Sequence, residues 1–249
     1  ISGNTGPAID SSGFGGASGA GGGGGIANFN GQVTLRDSRV SGNRSMEGGG
    51  IYNYPAGSTQ ARVIIISSAI TGNRADMWGG GVSNWDRMNV FYSAVTGNGV
   101  GATSSGQFGF GGDFMGEGGG FSNMGIGDLL VQHSTISGNT VARAGGGIFN
   151  GAKVRLVHVT LRNNKAASGP LCTSGGSGGG GFGGGGFGGG FGGGGFTGFT
   201  NCSSVRYVFG NEVFNSSAAV SSTKGIIFER TIIGGGASPA GNCLAGDSD

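Results

Sequence analysis

Two short phrases alternate along this chain, and their recurrence constrains the fold more than any other feature. The first phrase is a glycine triplet, an apolar residue, any residue and then asparagine, and its copies end at Asn28, Asn53, Asn84, Asn123 and Asn150. The second phrase is an apolar stretch closed by a turn such as SGN, and its copies end at Asn43, Asn73, Asn98, Asn139 and Asn164. Successive triplets lie 25, 31, 39 and 27 residues apart. Self-similarity at this period indicates a solenoid in which each repeat forms one coil.

Apolar residues fall at fixed offsets inside the second phrase. In one copy Val63 and Ile65 alternate with their neighbours, and Ile70 follows five residues later. The alternation predicts a strand, and the jump predicts a bend before a second short strand. A single coil cannot bury its apolar stripe, so the coils must stack, with parallel strands about 4.8 Å apart. Parallel crossovers are right-handed, so we predict an all-β chain that forms a single right-handed parallel β-helix.

The predicted β-helix is one domain over residues 1–249. We expect a partial first coil and a glycine-rich loop in 1–20, regular coils in 21–170, a glycine- and phenylalanine-rich insertion on one edge in 171–203, and C-terminal coils with a tail in 204–249. The opening ISGNT matches the end of a second phrase that lacks its strand. Because an initiator methionine and a signal peptide are lacking, we expect Ile1 to be a processed or trimmed terminus.

The two asparagine columns are predicted to form structural ladders. In a stack of coils, identical amides lie above one another and satisfy each other's donors and acceptors. A ligand-binding comb is the alternative interpretation. The ladder is favoured because each asparagine sits at a turn, where backbone groups need partners.

Charge and motif content argue against several functional classes. The chain has 65 glycines and a net charge of +2, which gives no basis for nucleic-acid binding. No apolar run is long enough to span a membrane as a helix, and no fingerprint predicts a cofactor.

Candidate catalytic and metal-binding residues are few. Among only twelve acids, Asp76, Asp86 and Asp113 lie near corners, where a solvated role is favoured. His133 and His158 share one repeat position and should stack, but a third metal ligand is lacking. We therefore predict no enzyme.

Three glycine-rich insertions, within residues 5–22, 99–117 and 174–200, leave from the same corner of the coil. Their large side chains are phenylalanines, which we predict to form an assembly interface between copies of the chain: Phe14, Phe108, Phe110, Phe182, Phe187, Phe191 and Phe196. Cys172 and Cys202 bracket the longest tract and are candidates for a disulfide at its base. A Cys202–Cys243 bridge and three free thiols remain alternatives.

The repeated phrases also resemble those of a known group. GGGI-x-N and SGN are similar to the GGAI and FxxN repeats of polymorphic outer-membrane proteins and related secreted bacterial right-handed β-helix proteins, over residues 22–165. The resemblance implies an extracellular or cell-surface location. We expect a non-enzymatic structural protein that assembles head to tail with copies of itself into a filament or surface layer. The alternatives are an adhesin passenger domain that binds a cell-surface glycan, and a polysaccharide lyase or hydrolase.

Deletion of residues 178–195 should leave a folded β-helix that no longer assembles. Ordering a glycine tract costs about 1–2 kcal/mol per residue, and a buried phenylalanine recovers only about 2–3 kcal/mol, so the tract needs a partner surface. Electron microscopy of the deletion variant tests this expectation, with circular dichroism as the control for folding. Normal fibres from the variant would contradict it.

Overall fold

The chain is all-β in the residues that its computed structural model describes, which are 1–5, 21–57, 60–101, 116–142, 144–166, 213–215, 225–234 and 243–245. Five successive coils contain four strands each. The first coil has β1 (Ile26–Phe29), β2 (Gln32–Arg36), β3 (Arg39–Ser41) and β4 (Arg44–Glu47). The second has β5 (Ile51–Tyr54), β6 (Arg62–Ile66), β7 (Ala69–Thr71) and β8 (Arg74–Trp78). The third has β9 (Val82–Asn84), β10 (Arg87–Phe91), β11 (Ala94–Thr96) and β12 (Gly99–Val100).

The later coils repeat the same order of strands. The fourth coil has β13 (Phe121–Asn123), β14 (Asp128–Gln132), β15 (Thr135–Ser137) and β16 (Thr140–Val141). The fifth has β17 (Ile148–Asn150), β18 (Lys153–Val157), β19 (Thr160–Arg162) and β20 (Lys165–Ala166). Beyond it the described strands are β21 (Val213–Asn215), β22 (Gly225–Glu229), β23 (Ile232–Gly234) and β24 (Cys243–Ala245).

Equivalent strands of successive coils pair in parallel and build four sheets. Sheet 1 has the order β1-β5-β9-β13-β17-β21-β24, and sheet 2 has the order β2-β6-β10-β14-β18-β22. Sheet 3 contains β3-β7-β11-β15-β19-β23, and sheet 4 contains β4-β8-β12-β16-β20. This is the architecture of a parallel β-solenoid, with the core enclosed between the sheets.

Sheet 4 consists of strands that the sequence analysis did not predict. The segments after the SGN turns, such as Arg44–Glu47 and Arg74–Trp78, look like polar connections, yet they form strands. A second apolar cluster of small residues explains why, because Ala75, Val100, Val141 and Ala166 are buried along this sheet. In chain order the predicted glycine-rich insertions come after sheet 4 positions, namely Thr5, β12 and β20.

The main core contains the apolar residues at the predicted offsets. Val63, Ile65 and Ile70 are at most 1 % exposed, and so are their equivalents Leu129, Val131 and Ile136. Their strands pair without offset, so that Ile65 lies between Leu35 and Val90. The predicted register and the predicted burial of these residues are therefore confirmed.

The glycine triplets form the corner between sheets 4 and 1, and their residues serve different purposes. Gly79, the first of its triplet, has φ +64°, in the left-handed region that favours glycine. Gly80 has no such requirement, but a β-carbon on it would lie 2.5 Å from the carbonyl oxygens of Gly99 and Gly119. The triplet therefore allows backbones of neighbouring coils to approach closely at this corner.

Truncation of Ile65 to alanine should lower the free energy of unfolding by about 2–5 kcal/mol, because it leaves a cavity in the packed core. Ile64→Ala is a matched control on the same strand, since the Ile64 side chain points outward and is only half-buried. Chemical denaturation of both variants measures the difference. Equal losses for the two variants would mean that the assigned register is wrong.

Candidate functional site

The asparagines that close the second phrase form a continuous ladder, which also includes Asn4. Each side-chain Nδ2 donates to Oδ1 of the asparagine in the following coil at 2.8–3.0 Å. The backbone N–H of the same residue donates to that same Oδ1 at 2.9–3.0 Å. The other Nδ2 hydrogen points back one coil, as in the 2.9 Å bond from Asn98 to the Ile70 carbonyl oxygen. With both amide hydrogens of Asn98 used and its side chain fully buried, it has no hydrogen left to offer a ligand.

The asparagines that close the first phrase form a second ladder. Asn28, Asn53, Asn84 and Asn123 each donate from Nδ2 to Oδ1 of the next asparagine at 2.8 Å, and the last acceptor is Asn150. A carbonyl oxygen near the turn into sheet 2 accepts the second hydrogen, for example that of Asp86 from Asn84 at 2.8 Å. These bonds hold the corner between sheets 1 and 2.

A serine ladder, which the sequence analysis did not single out, joins the bends between sheets 2 and 3. The backbone N–H groups of Ser38, Ser68 and Ser93 each donate to Oγ of the next serine at 3.0 Å, ending at Ser134. Each hydroxyl donates in turn to the carbonyl oxygen two residues before it, at 2.6–2.7 Å. In the fifth coil Val159 takes this position and is buried.

The residues just before these serines, together with the residues at the same position in the last two coils, form an exposed column, which we call the bend column. Its members share a positive φ of 47–53° and are Asp37, Ser67, Tyr92, His133, His158 and Arg230. The His133 and His158 rings stack with centroids 4.7 Å apart, and the Tyr92 ring stacks on His133 at 5.1 Å. The predicted stacking of the two histidines is therefore confirmed. The described ranges contain no group of three or more metal-ligating side chains.

The acidic residues considered as a meeting point lie apart. Asp76 is on sheet 4, where its Oδ1 lies 2.8 Å from Arg44 Nη2. Asp86 lies between sheets 1 and 2 and is buried, and its Oδ2 accepts a 2.7 Å hydrogen bond from the Ala61 N–H. Asp76 thus pairs on a strand of sheet 4, whereas Asp86 holds the turn between sheets 1 and 2, and the expected solvated role is wrong for Asp86 because it is buried. Asp113 lies outside the described residues.

A half-buried acid and a group of aromatic rings meet on the outer face of sheet 1. Tyr52 and Tyr54 stack with centroids 5.7 Å apart, and Trp85 packs edge-on against Tyr54 at 5.9 Å. Glu47 lies beside Tyr52, and its Oε2 is buried without a hydrogen-bond partner. Burial raises the pKa of Glu47 to about 7, although a hydrogen bond with Trp85 favours the ionised form. Sequence reasoning missed this cluster, because Glu47, the two tyrosines and Trp85 come from three different coils.

Other predicted residues cannot be placed. Phe14, Phe108, Phe110, Phe182, Phe187, Phe191 and Phe196 lie outside the described residues, and so do Cys172 and Cys202. Cys243 is on β24 at the end of sheet 1. In the part of the chain that the structure describes, no helix has the length and apolar character needed to cross a bilayer.

No family model, curated protein or solved structure matches this chain. Its class is therefore defined by its own architecture: a parallel β-solenoid with asparagine and serine ladders at its turns.

Replacing Glu47 with glutamine should remove a pH dependence of stability. Below about pH 4.5 the carboxyl is protonated in both the folded and the unfolded state. Between pH 4.5 and about 7 only the unfolded state ionises, so the wild-type chain loses up to about 3 kcal/mol as the pH rises. Glu47→Gln should show no such loss and should be more stable than wild type at pH 8. Urea unfolding at pH 4 and pH 8 measures the effect.

Glu229→Gln is the control for this experiment. Glu229 forms an exposed ion pair with Arg155, which contributes at most about 1 kcal/mol. This variant should therefore keep the wild-type loss of stability between pH 4 and pH 8. If Glu47→Gln also keeps that loss, Glu47 is not its source.

Proposed function

We propose that this chain is a single right-handed parallel β-helix that serves as a non-enzymatic, extracellular structural protein and assembles end to end with copies of itself. The observation that carries the proposal is the regular stacking of the described coils, because an outermost coil presents to a second copy the same kind of sheets and ladders that inner coils present to each other. The resemblance of its phrases to secreted bacterial β-helix repeats supports the extracellular location.

The ends of the core differ from its middle. In the first coil Ile26, Val33 and Leu35 are only partly buried, whereas their equivalents in the central coils are fully buried. In the last described coil Ile233 is partly buried, and Phe228, at the core position of Leu156, is 42 % exposed. Apolar surface of this kind gains free energy when another copy covers it.

Among the described residues, hydrogen-bonding groups of the outermost strands also lack a partner on one side. Within the described residues β2 pairs on one side only, with β6, and β22 pairs only with β18. Asn28 Oδ1, at the start of its ladder, accepts no hydrogen bond from the described residues, although the side chain is buried. Edge strands and ladder ends are natural sites for pairing with another chain. Since the two ends are different surfaces, the contact would be heterologous and would repeat without closing.

The positions of the carboxyl groups in the described coils support a structural rather than an enzymatic role. A glycosidase needs two carboxyl groups converging on one space. In the described coils Asp76 lies on sheet 4 and Asp86 at the turn between sheets 1 and 2. Glu47 has the raised pKa of a general acid, but no second carboxyl of the described chain influences that pKa.

Replacing Phe228 with glutamate should suppress assembly, because a buried unpaired carboxylate at the contact is strongly unfavourable. The matched control is Ile126→Glu, which adds the same charge at a side chain that is 70 % exposed on a turn between β13 and β14. We expect wild type and Ile126→Glu to form fibres or larger species with increasing concentration, and Phe228→Glu to stay monomeric. Analytical ultracentrifugation and negative-stain microscopy make the comparison.

The thermal unfolding midpoint of each variant shows whether the solenoid itself is intact. A wild-type chain that stays monomeric at every concentration would refute end-to-end assembly. So would a Phe228→Glu variant that assembles as readily as Ile126→Glu.

A further inference from the structure

The ring stack on the bend column ends with one open face. Tyr92 covers His133 on one side with the rings almost parallel, at an interplanar angle of 4°. On the opposite face of the Tyr92 ring, the residues at the same position in the two preceding coils are Ser67 and Asp37, which carry no ring. Tyr92 is 64 % exposed, so an aromatic face is presented to solvent at the end of an ordered stack.

A groove lies against this face. It is lined on one side by Asp37, Ser67 and Tyr92 of the bend column, and on the other by Arg39, Ala69 and Ala94 of sheet 3. Because Ser67 and Ala69 have small side chains, the groove is open at the level of the second coil. Since two coil spacings separate the levels of Tyr92 and Asp37, about 10 Å, one six-membered ring fits between them.

The chemistry of the groove selects a particular kind of ring. The π-face of Tyr92 is electron-rich and attracts C–H groups, which line the apolar face of a pyranose. At the far end Asp37 accepts hydrogen bonds and Arg39 donates them, and neither forms an ion pair within the described chain. A phenylalanine ring from another copy would form no hydrogen bond with either charged group. A sugar satisfies them with its hydroxyl groups.

We propose that this groove is a glycan-binding subsite, in which one pyranose ring stacks on Tyr92 at the level of Ser67 and bonds to Asp37 and Arg39. This is a binding function beyond the structural role proposed above. It does not require assembly, because the bend column lies on the side of the solenoid rather than at its ends.

The test is a binding measurement on the full chain with a panel of neutral and uronic-acid hexasaccharides, by calorimetry. Tyr92→Ala should weaken the best ligand about tenfold, whereas Tyr92→Phe keeps the aromatic face and should bind nearly as wild type. Ser67→Tyr is the decisive variant, because its ring should occupy the place of the sugar. A tyrosine already occupies the equivalent backbone conformation at position 92, with φ 50° against 48° for Ser67, so this variant should fold.

We expect Ser67→Tyr to abolish binding while its circular dichroism and melting midpoint match wild type, and Ile126→Glu to bind normally. The proposal is overturned if no hexasaccharide of the panel binds, or if Ser67→Tyr binds as well as wild type. It is also overturned if Ser67→Tyr prevents self-association without affecting sugar binding, since the groove would then accept a side chain of another copy.

Discussion

A buried asparagine amide carries two donor hydrogens and an oxygen with two lone pairs, and in this solenoid the neighbouring coils satisfy them. The Asn98 side chain accepts a hydrogen bond from Asn73 and donates one to Asn139 and one to the carbonyl oxygen of Ile70 in the preceding coil. An amide left without these partners in the interior would cost about 1–3 kcal/mol. The bends therefore require the same residue in every coil, and this fixes the height and orientation of each coil relative to the next. The apolar side chains then pack in register.

Much of the fold follows from the sequence, because the constraint acts on identical residues at repeated positions. Alternation at Val63 and Ile65 and the phrase-closing asparagines predict sheets 1 to 3 and the core. Sheet 4 was missed, since its strands mix charged with small residues and its buried face needs only groups such as Ala75. The serine ladder did leave a signal, as a serine lies five residues before the ladder asparagine in four copies of the second phrase.

The candidate sites are harder to read from the sequence, since they depend on how different coils meet. Glu47, Tyr54 and Trp85 belong to three successive coils, and nothing in their spacing indicates that a carboxyl will be enclosed by rings. Along the bend column the stacking of His133 and His158 is predictable from their shared position. The open face of the Tyr92 ring arises instead because Ser67, one coil earlier, carries no ring. Repetition thus makes the shared scaffold predictable, while function is sought where one coil departs from its neighbours.

Each coil contacts only the coil before it and the coil after it, and each brings its own two asparagines and its own glycine corner. A duplication of one repeat would therefore add a complete unit that already fits both neighbours, and a loss would remove one without a mismatch. The length of such a rod can change by recombination in steps of one coil, about 4.8 Å, with the core composition unchanged. The length of the rod becomes a property that evolution adjusts through the number of repeats rather than by redesigning an interface.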